Sequence, residues 1–238
     1  MIRNGDAMAD TAAGLAPVGR ATVQDRVYTE LRRALIGGLF APGQVLTIRQ
    51  LSDALMTSTM PVRDALGRLI TERALEVLPN RTIRVPPVTL DRIEDLLRVR
   101  VLIEGEAMAM AALRVTPALM AGVKAIMEEW SAMKRDARPE TVEREAALNQ
   151  AFHFEIYRAC GSSILLPMIE SLWLQSGPFT RAAIVAFSEA GAQDAALFHH
   201  DIVRALEAGD GAAARAALVA DISRPFAYLK DKFGKEAA

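Results

Sequence analysis

Cysteine, aromatic residues and long apolar runs are all scarce in this chain of 238 residues, and each scarcity excludes something. The single cysteine, Cys160, rules out an internal disulfide framework and suits a reducing compartment. Aromatics make up only 5% of the residues, while Ala, Leu, Arg and Glu are plentiful, a balance that favours helices over strands. No apolar run reaches the roughly 18 residues that a membrane-spanning helix needs. No N-terminal segment pairs a basic end with an apolar stretch, as a secretory leader does. A cytoplasmic protein without a membrane partner is therefore expected. Lysine is missing before Lys124, so the front of the chain carries its positive charge on arginine alone.

The net charge of -1 is a poor advertisement for a nucleic-acid partner until the chain is divided. Residues 21–88 hold nine Arg against six Asp and Glu, a net of +3, whereas residues 89–238 net -4. Arginine is the side chain suited to two-pronged contact with guanine or phosphate. Within the basic part, residues 46 to 68 read LTIRQLSDALMTSTMPVRDALGR. Thr47 is an N-cap candidate for a helix over 48–55, and Ser58 or Thr59 for one over 60–72. Pro61 is tolerated in a first helical turn, where its missing N–H has no intrahelical acceptor. Two short helices around a tight polar turn form a helix-turn-helix, whose second helix enters the major groove of DNA. Arg49 and Arg63 would then reach guanine edges or phosphates, and Ser58, Thr59 and Met60 lie where the second helix meets the duplex. A solvated helical module with the same arginines is the alternative on spacing alone.

Apolar residues at Val27, Leu31, Leu35 and Ile36 predict a preceding helix that Gly37-Gly38 ends. Leu75 to Leu78, a turn at Pro79-Asn80-Arg81, and Thr82 to Val85 predict a two-stranded wing, with Arg81 and Arg84 placed to approach the minor groove or backbone. Pro86-Pro87 reads as a stiff linker. Residues 1–20 read as a disordered tail, 21–88 as a winged helix-turn-helix, and 89–238 as an all-helical bundle. Helices are expected near 90–113, 117–134, 140–160, 163–174, 177–188, 194–208 and 211–230, with breaks that include Gly161, Gly177-Pro178 and Gly191.

The bundle carries an unusual set of polar groups on inward faces. His153 lies one turn beyond Asn149 on a stripe with Phe152, Ile156 and Cys160. His199 aligns with Ile202, Val203 and Leu206, whereas His200 aligns with Arg204 and Glu207 and should face outward. Asp221 shares a stripe with Leu218, Ile222 and Pro225. Buried alone, Asn149, His153, His199 and Asp221 would each be costly, so they meet one another, a ligand or a metal. On the first helix of the bundle, Arg100 and Glu104 are spaced as an i,i+4 pair, a weak surface interaction in its less favourable order. Trp173 and Phe179 fit core packing or a cavity wall, and Cys160 fits the core.

Taken in order, these pieces resemble the GntR family of bacterial transcription regulators, in the FadR-like branch that carries a C-terminal FCD ligand-binding domain. Val27-Tyr28-Thr29-Glu30-Leu31-Arg32 and Gly38-Leu39-Phe40-Ala41-Pro42-Gly43 resemble the family's opening helix and turn. Leu51 to Leu55 and Pro61 to Leu66 resemble its DNA-facing helices. Arg100 to Glu104, Phe152-His153 and Ala205 to Asp210 resemble signatures of the FCD part. The chain departs from the pattern where the family often has Arg before a "TPVR" segment: that position is Thr59, and the next is Met60. The wing has Thr82 where Gly is common after Asn-Arg.

The resemblance implies a homodimer that reads a pseudo-palindromic operator in double-stranded DNA, usually as a repressor. It implies a small carboxylate effector, anchored by Arg100 beside Glu104, Asn149, His153 and His199. Its metal ligands are one Asp and three His; the matching positions here are Asn149, His153, His199 and Asp221, so two donors differ. Two imidazoles and a carboxylate suit zinc, nickel or iron, with Asn149 a weak fourth ligand. A hydrogen-bonded network without metal is the open alternative. The competing class is a metal-dependent enzyme using His153, His199 and Asp221, but no dedicated base or nucleophile stands beside them in the sequence, so no enzyme is expected. A DNA-compacting role fits poorly with the acidic rear of the chain.

Overall fold

The computed structural model describes residues 22–133, 138–189 and 197–236. The expected disordered tail and the break at Gly191 lie outside the described residues. Helix α1 (Val23–Ile36) opens with a reciprocal cap: the Thr22 hydroxyl accepts from the Asp25 N–H, and the Asp25 carboxylate accepts from the Thr22 N–H. It closes at Gly38, whose φ of 67° lets the Leu39 N–H reach back to the Ala34 carbonyl at 2.8 Å. Its apolar stripe of Val27, Leu31 and Leu35 packs against Val62, Ala65, Leu66 and Leu69, all buried on α3 (Thr59–Thr71). Between them, α2 (Ile48–Ala54) is capped by the Thr47 hydroxyl, as expected. Ser58 occupies the N-cap position of α3, but its side chain makes no capping bond.

A small antiparallel sheet completes the front module. Its strands are β1 (Val45–Leu46), β2 (Glu76–Val77) and β3 (Ile83–Arg84), in the order β1-β3-β2. The hairpin of β2 and β3 is the expected wing. Strand β1 was not expected: two residues are too few to show alternation, and the partner that defines them lies far along the chain. At the wing turn Arg81 takes a φ of 64° and its N–H bonds the Leu78 carbonyl. Arg84 is half-buried and bonded to Glu76 across the hairpin at 2.5 Å, so it braces the wing.

Helices α4 (Leu90–Ala112), α5 (Pro117–Ala132), α6 (Pro139–Arg158), α7 (Leu165–Glu189), α8 (Leu197–Glu207) and α9 (Gly211–Glu236) form the bundle, with α9 packed along α4. Four of the expected helices agree within a few residues at either end, and α9 extends further at its end. The expected pair over 163–174 and 177–188 is corrected to one helix, α7, which runs through Gly177 and Pro178. A proline inside a helix costs about 3 kcal/mol, but Leu174, Ser176, Phe179 and Ala183 are all buried, and packing on both sides of the break holds the helix continuous. Among the described residues, no helix is long and apolar enough to cross a membrane.

Gly177 explains how the two parts meet. A Cβ built there would lie 2.1 Å from the Leu35 carbonyl oxygen and 2.9 Å from the Ile36 Cα, so the backbones of α7 and α1 touch directly. One turn further, a Cβ on Gly38 would lie 2.5 Å from the Arg181 Cβ. Arg32 on α1 bonds Glu170 on α7 at 3.2 Å beside this contact. Replacing glycine by alanine in a helix interior ordinarily helps by about 0.5–1 kcal/mol. Here the obstacle is backbone, which cannot swing away. Gly177→Ala should therefore destabilise the protein by about 1–3 kcal/mol, measured as a lowered urea midpoint.

Candidate functional site

The exposed edge of the front module carries the residues expected to face DNA. Arg49 on α2, Ser58, Thr59, Met60 and Arg63 at the start of α3, and Arg81 on the wing are all exposed. Pro61 and Val62 between them turn inward and are buried. The remaining arginines are not equivalent. The Arg68 guanidinium lies 3.6 Å above the Tyr28 ring and bonds Asp25, while the Tyr28 hydroxyl donates to Glu72 at 2.6 Å. Those contacts tie α3 to α1 and leave Arg49, Arg63 and Arg81 as the projecting cations of this edge.

In the bundle, one cavity of about 80 Å³ collects Arg100, Asn149, His153, His199 and Asp221 from α4, α6, α8 and α9. Glu104 stands behind Arg100 with no exposed surface. It accepts from Arg100 Nε at 2.5 Å and a second guanidinium nitrogen at 3.1 Å, from the Tyr157 hydroxyl at 2.7 Å and from Trp173 Nε1 at 3.0 Å. The weak surface pair that spacing allowed is thus corrected to a buried, two-pronged one, with Arg100 stacked near the Trp173 ring. Burial works against the Arg100 charge, yet Glu104 holds its guanidinium pKa above the usual value. Burial, then Glu104, pushes the Tyr157 phenol well up, so it stays a donor.

Across the cavity, His153 Nε2 lies 3.1 Å from one Asp221 oxygen and His199 Nε2 lies 3.4 Å from the other. The second contact lacks hydrogen-bond geometry, and neither ring nitrogen of the buried His199 has a partner. Burial would raise the Asp221 carboxyl, but the two imidazoles, His199 foremost, hold it well below the usual carboxylate range. Burial pushes His153 down despite the pull of Asp221, which favours its neutral ring. The donor atoms of these three residues lie within 4.8 Å of one another. A neutral imidazole, an ionised carboxylate and a second imidazole with orphaned nitrogens are the states a divalent cation requires, so the residues present fit one. Asn149 lines the same wall, one turn before His153.

Sequence spacing brought these residues together correctly and missed their neighbours. Glu145 and Arg224 also line the cavity. Glu145 lies one turn before Asn149 and Arg224 three residues after Asp221, so helical periodicity could have found both. Tyr157, one turn past His153, was missed as a bond to Glu104. Trp173 and Phe179 are buried away from the cavity lining, Cys160 is buried, and His200 is exposed, as their stripes indicated.

Residues 23–85 match the gntR family of bacterial regulatory proteins, and residues 95–224 match the FCD domain. The chain belongs to the GntR family, in the branch with an FCD domain. It is 28% identical over 210 residues to the HTH-type transcriptional regulator McbR of Escherichia coli K12, covering 88% of this chain and 94% of that one. It is 29% identical over 147 residues to the transcriptional repressor GlaR of the same organism, covering 61% of this chain and 67% of that one. The solved structure of E. coli McbR/YncC superposes with a TM-score of 0.77 over 89% of this chain and 99% of that one. A GntR regulator structure from Rhodococcus sp. RHA1, at 22% identity, shares the fold with a TM-score of 0.66 over 86% of this chain and 96% of that one. The chain is a DNA-binding transcription regulator.

The buried pair gives a stability prediction. Glu104→Leu strands the Arg100 charge away from water and should cost about 3–5 kcal/mol in urea unfolding. The double variant Arg100→Met/Glu104→Leu should recover more than half of that loss, because no uncompensated charge remains.

Proposed function

We propose that this regulator is a cytoplasmic homodimer, acting as a repressor, whose bundle senses a small organic carboxylate. Residues 21–88 serve as the DNA-binding unit and 89–238 as the sensing and dimerising unit. Two copies of α3 would read the halves of a pseudo-palindromic operator, through Arg49, Ser58, Thr59, Met60 and Arg63, with Arg81 on the flanking backbone or minor groove. The single observation that carries the sensing reading is the convergence of cationic and metal-binding groups on one small buried cavity. Glu104, itself held by Tyr157 and Trp173, fixes the Arg100 guanidinium in place, and its planar fork suits a carboxylate. His153, His199 and Asp221, with Asn149 as a weak fourth, would hold a zinc, nickel or iron ion. Such an ion would supply positive charge opposite Arg100 for an anionic ligand. Turnover is no part of the proposal: the relatives are named regulators, and binding alone accounts for the groups in the cavity.

Helix α7 supplies the route to DNA. Thr180, Ala183 and Ile184 form one side of the cavity, while Gly177, less than a turn earlier, rests on the end of α1. A ligand that displaces α7 therefore displaces the front module. Coupling of about 1–3 kcal/mol corresponds to a 5- to 150-fold change in DNA affinity.

The test has two arms. Elemental analysis of protein purified without chelator should find divalent metal in the wild type and its loss in His199→Ala. Titration of a genomic fragment enriched by the protein, with a panel of short mono- and dicarboxylates, should identify one that weakens binding at least fivefold. If no acid shifts DNA affinity, the sensing reading fails while the DNA-binding reading stands.

A further inference from the structure

The first turn of α3 presents an uneven chemistry to a duplex. Of its residues, Thr59, Met60 and Arg63 project outward, a hydroxyl, a thioether and a guanidinium. Met60 is 62% exposed on the same helical face as Arg63, three residues on. Met56, in the turn before α3, is 93% exposed. Met56 also sits where stereochemistry asks for glycine. Its φ is 48°, and the Thr57 N–H reaches back to the Ser52 carbonyl at 3.0 Å, the geometry of a left-handed helix stop. A side chain with a Cβ is disfavoured there, and at this exposure it gains almost no packing within the chain in return. Neither methionine can donate a hydrogen bond to a phosphate or serve as more than a feeble acceptor toward a base edge. What an apolar side chain can read in the major groove is the 5-methyl group of thymine. Arg49 and Arg63, exposed on α2 and α3 of the same edge, supply the charge that brings a duplex to it.

We infer that Met60, assisted by Met56, is a specificity-determining residue that selects thymine methyl groups, so that each operator half-site carries a T·A pair next to the guanine read by Arg63. At this position a thioether offers a duplex apolar contact and not a hydrogen bond. The inference rests on α3 lying in the major groove. It makes a claim about base identity that the groove placement alone does not make.

The experiment uses the full-length protein. A preferred duplex is selected from a random library, and each thymine is then replaced in turn by deoxyuridine, which removes the methyl group and keeps the pairing. Fluorescence anisotropy near physiological ionic strength gives Kd for each duplex. The wild type should bind about fourfold more weakly at one or two uracil positions, the effect of losing one buried methyl contact. Met60→Ala should bind the thymine duplex more weakly and lose the thymine-to-uracil discrimination, while Met60→Leu retains it. Thermal unfolding should be unchanged in both variants, since the side chain is exposed. A wild-type Kd insensitive to uracil at every position, or discrimination that survives in Met60→Ala, overturns the inference and leaves DNA binding intact. A selection that yields no preferred duplex overturns sequence-specific readout and this inference with it.

Discussion

Glu104 has no solvent-exposed surface, and groups from three helices converge on it: Arg100 of its own α4, Tyr157 of α6 and Trp173 of α7. A buried carboxylate is tolerable only when its lone pairs are filled, and here four donor atoms fill them. The consequence is positional. Arg100 has two of its guanidinium nitrogens held from behind, so the face left toward the cavity is fixed before any ligand arrives. Pre-organisation of that kind removes the rotamer entropy a flexible arginine would lose on binding. The same carboxylate registers α7 against α4 and α6, which sets where the lower half of α7 lies.

That registration matters because α7 has two obligations. One turn below Trp173 its backbone rests on the backbone of α1 at Gly177, and just beyond Gly177, from Thr180 onward, it borders the cavity. Backbone-to-backbone contact is stiff. A side chain between two helices could change rotamer and absorb a small shift, but a Cα pressed on a carbonyl passes the shift on. The salt bridge between Arg32 and Glu170 lies along the same seam and is partly exposed, so it adds orientation more than energy. Continuity of α7 through Pro178 belongs to this picture. A true break there would have separated the cavity wall from the part that touches the DNA module.

Sequence periodicity carried most of the fold, because amphipathic helices announce their buried faces. The three-residue cluster was legible for the same reason: polar side chains on apolar stripes of three helices have to meet something, and His153, His199 and Asp221 do meet. Two kinds of feature were not legible. Strand β1 exists only through its pairing with β3, a long-range relation that two residues cannot encode locally. Gly177-Pro178 reads as a helix break on propensity, and only the packing of α1 against it reverses that reading. Arg100 and Glu104 show the limit of spacing itself: it identifies an i,i+4 pair but gives no information on whether the pair is in water or beneath three helices. Arg68 and Arg84 likewise counted as positive charge in the sequence, whereas their partners Asp25, Tyr28 and Glu76 commit them to holding the front module together.

The exchanged donors at the cluster follow a charge rule. The resemblance places an acid on α6 and a histidine on α9; here α6 offers Asn149 and α9 offers Asp221. Either change alone would alter the charge of the pocket by one unit. An acid at both positions would set two carboxylates into a cavity that already contains Glu145, with Glu104 close behind, and such crowding forces one of them to take a proton. An acid at neither would leave three imidazoles without a counter-charge. Made together, the changes keep one carboxylate, now against two imidazoles instead of three, and move it to α9. There its two oxygens face His153 and His199 separately, at 3.1 and 3.4 Å, instead of approaching them from the helix that already carries His153. Set against that resemblance, the two exchanges offset each other in charge, and one ionised carboxylate still faces the imidazoles of the cavity.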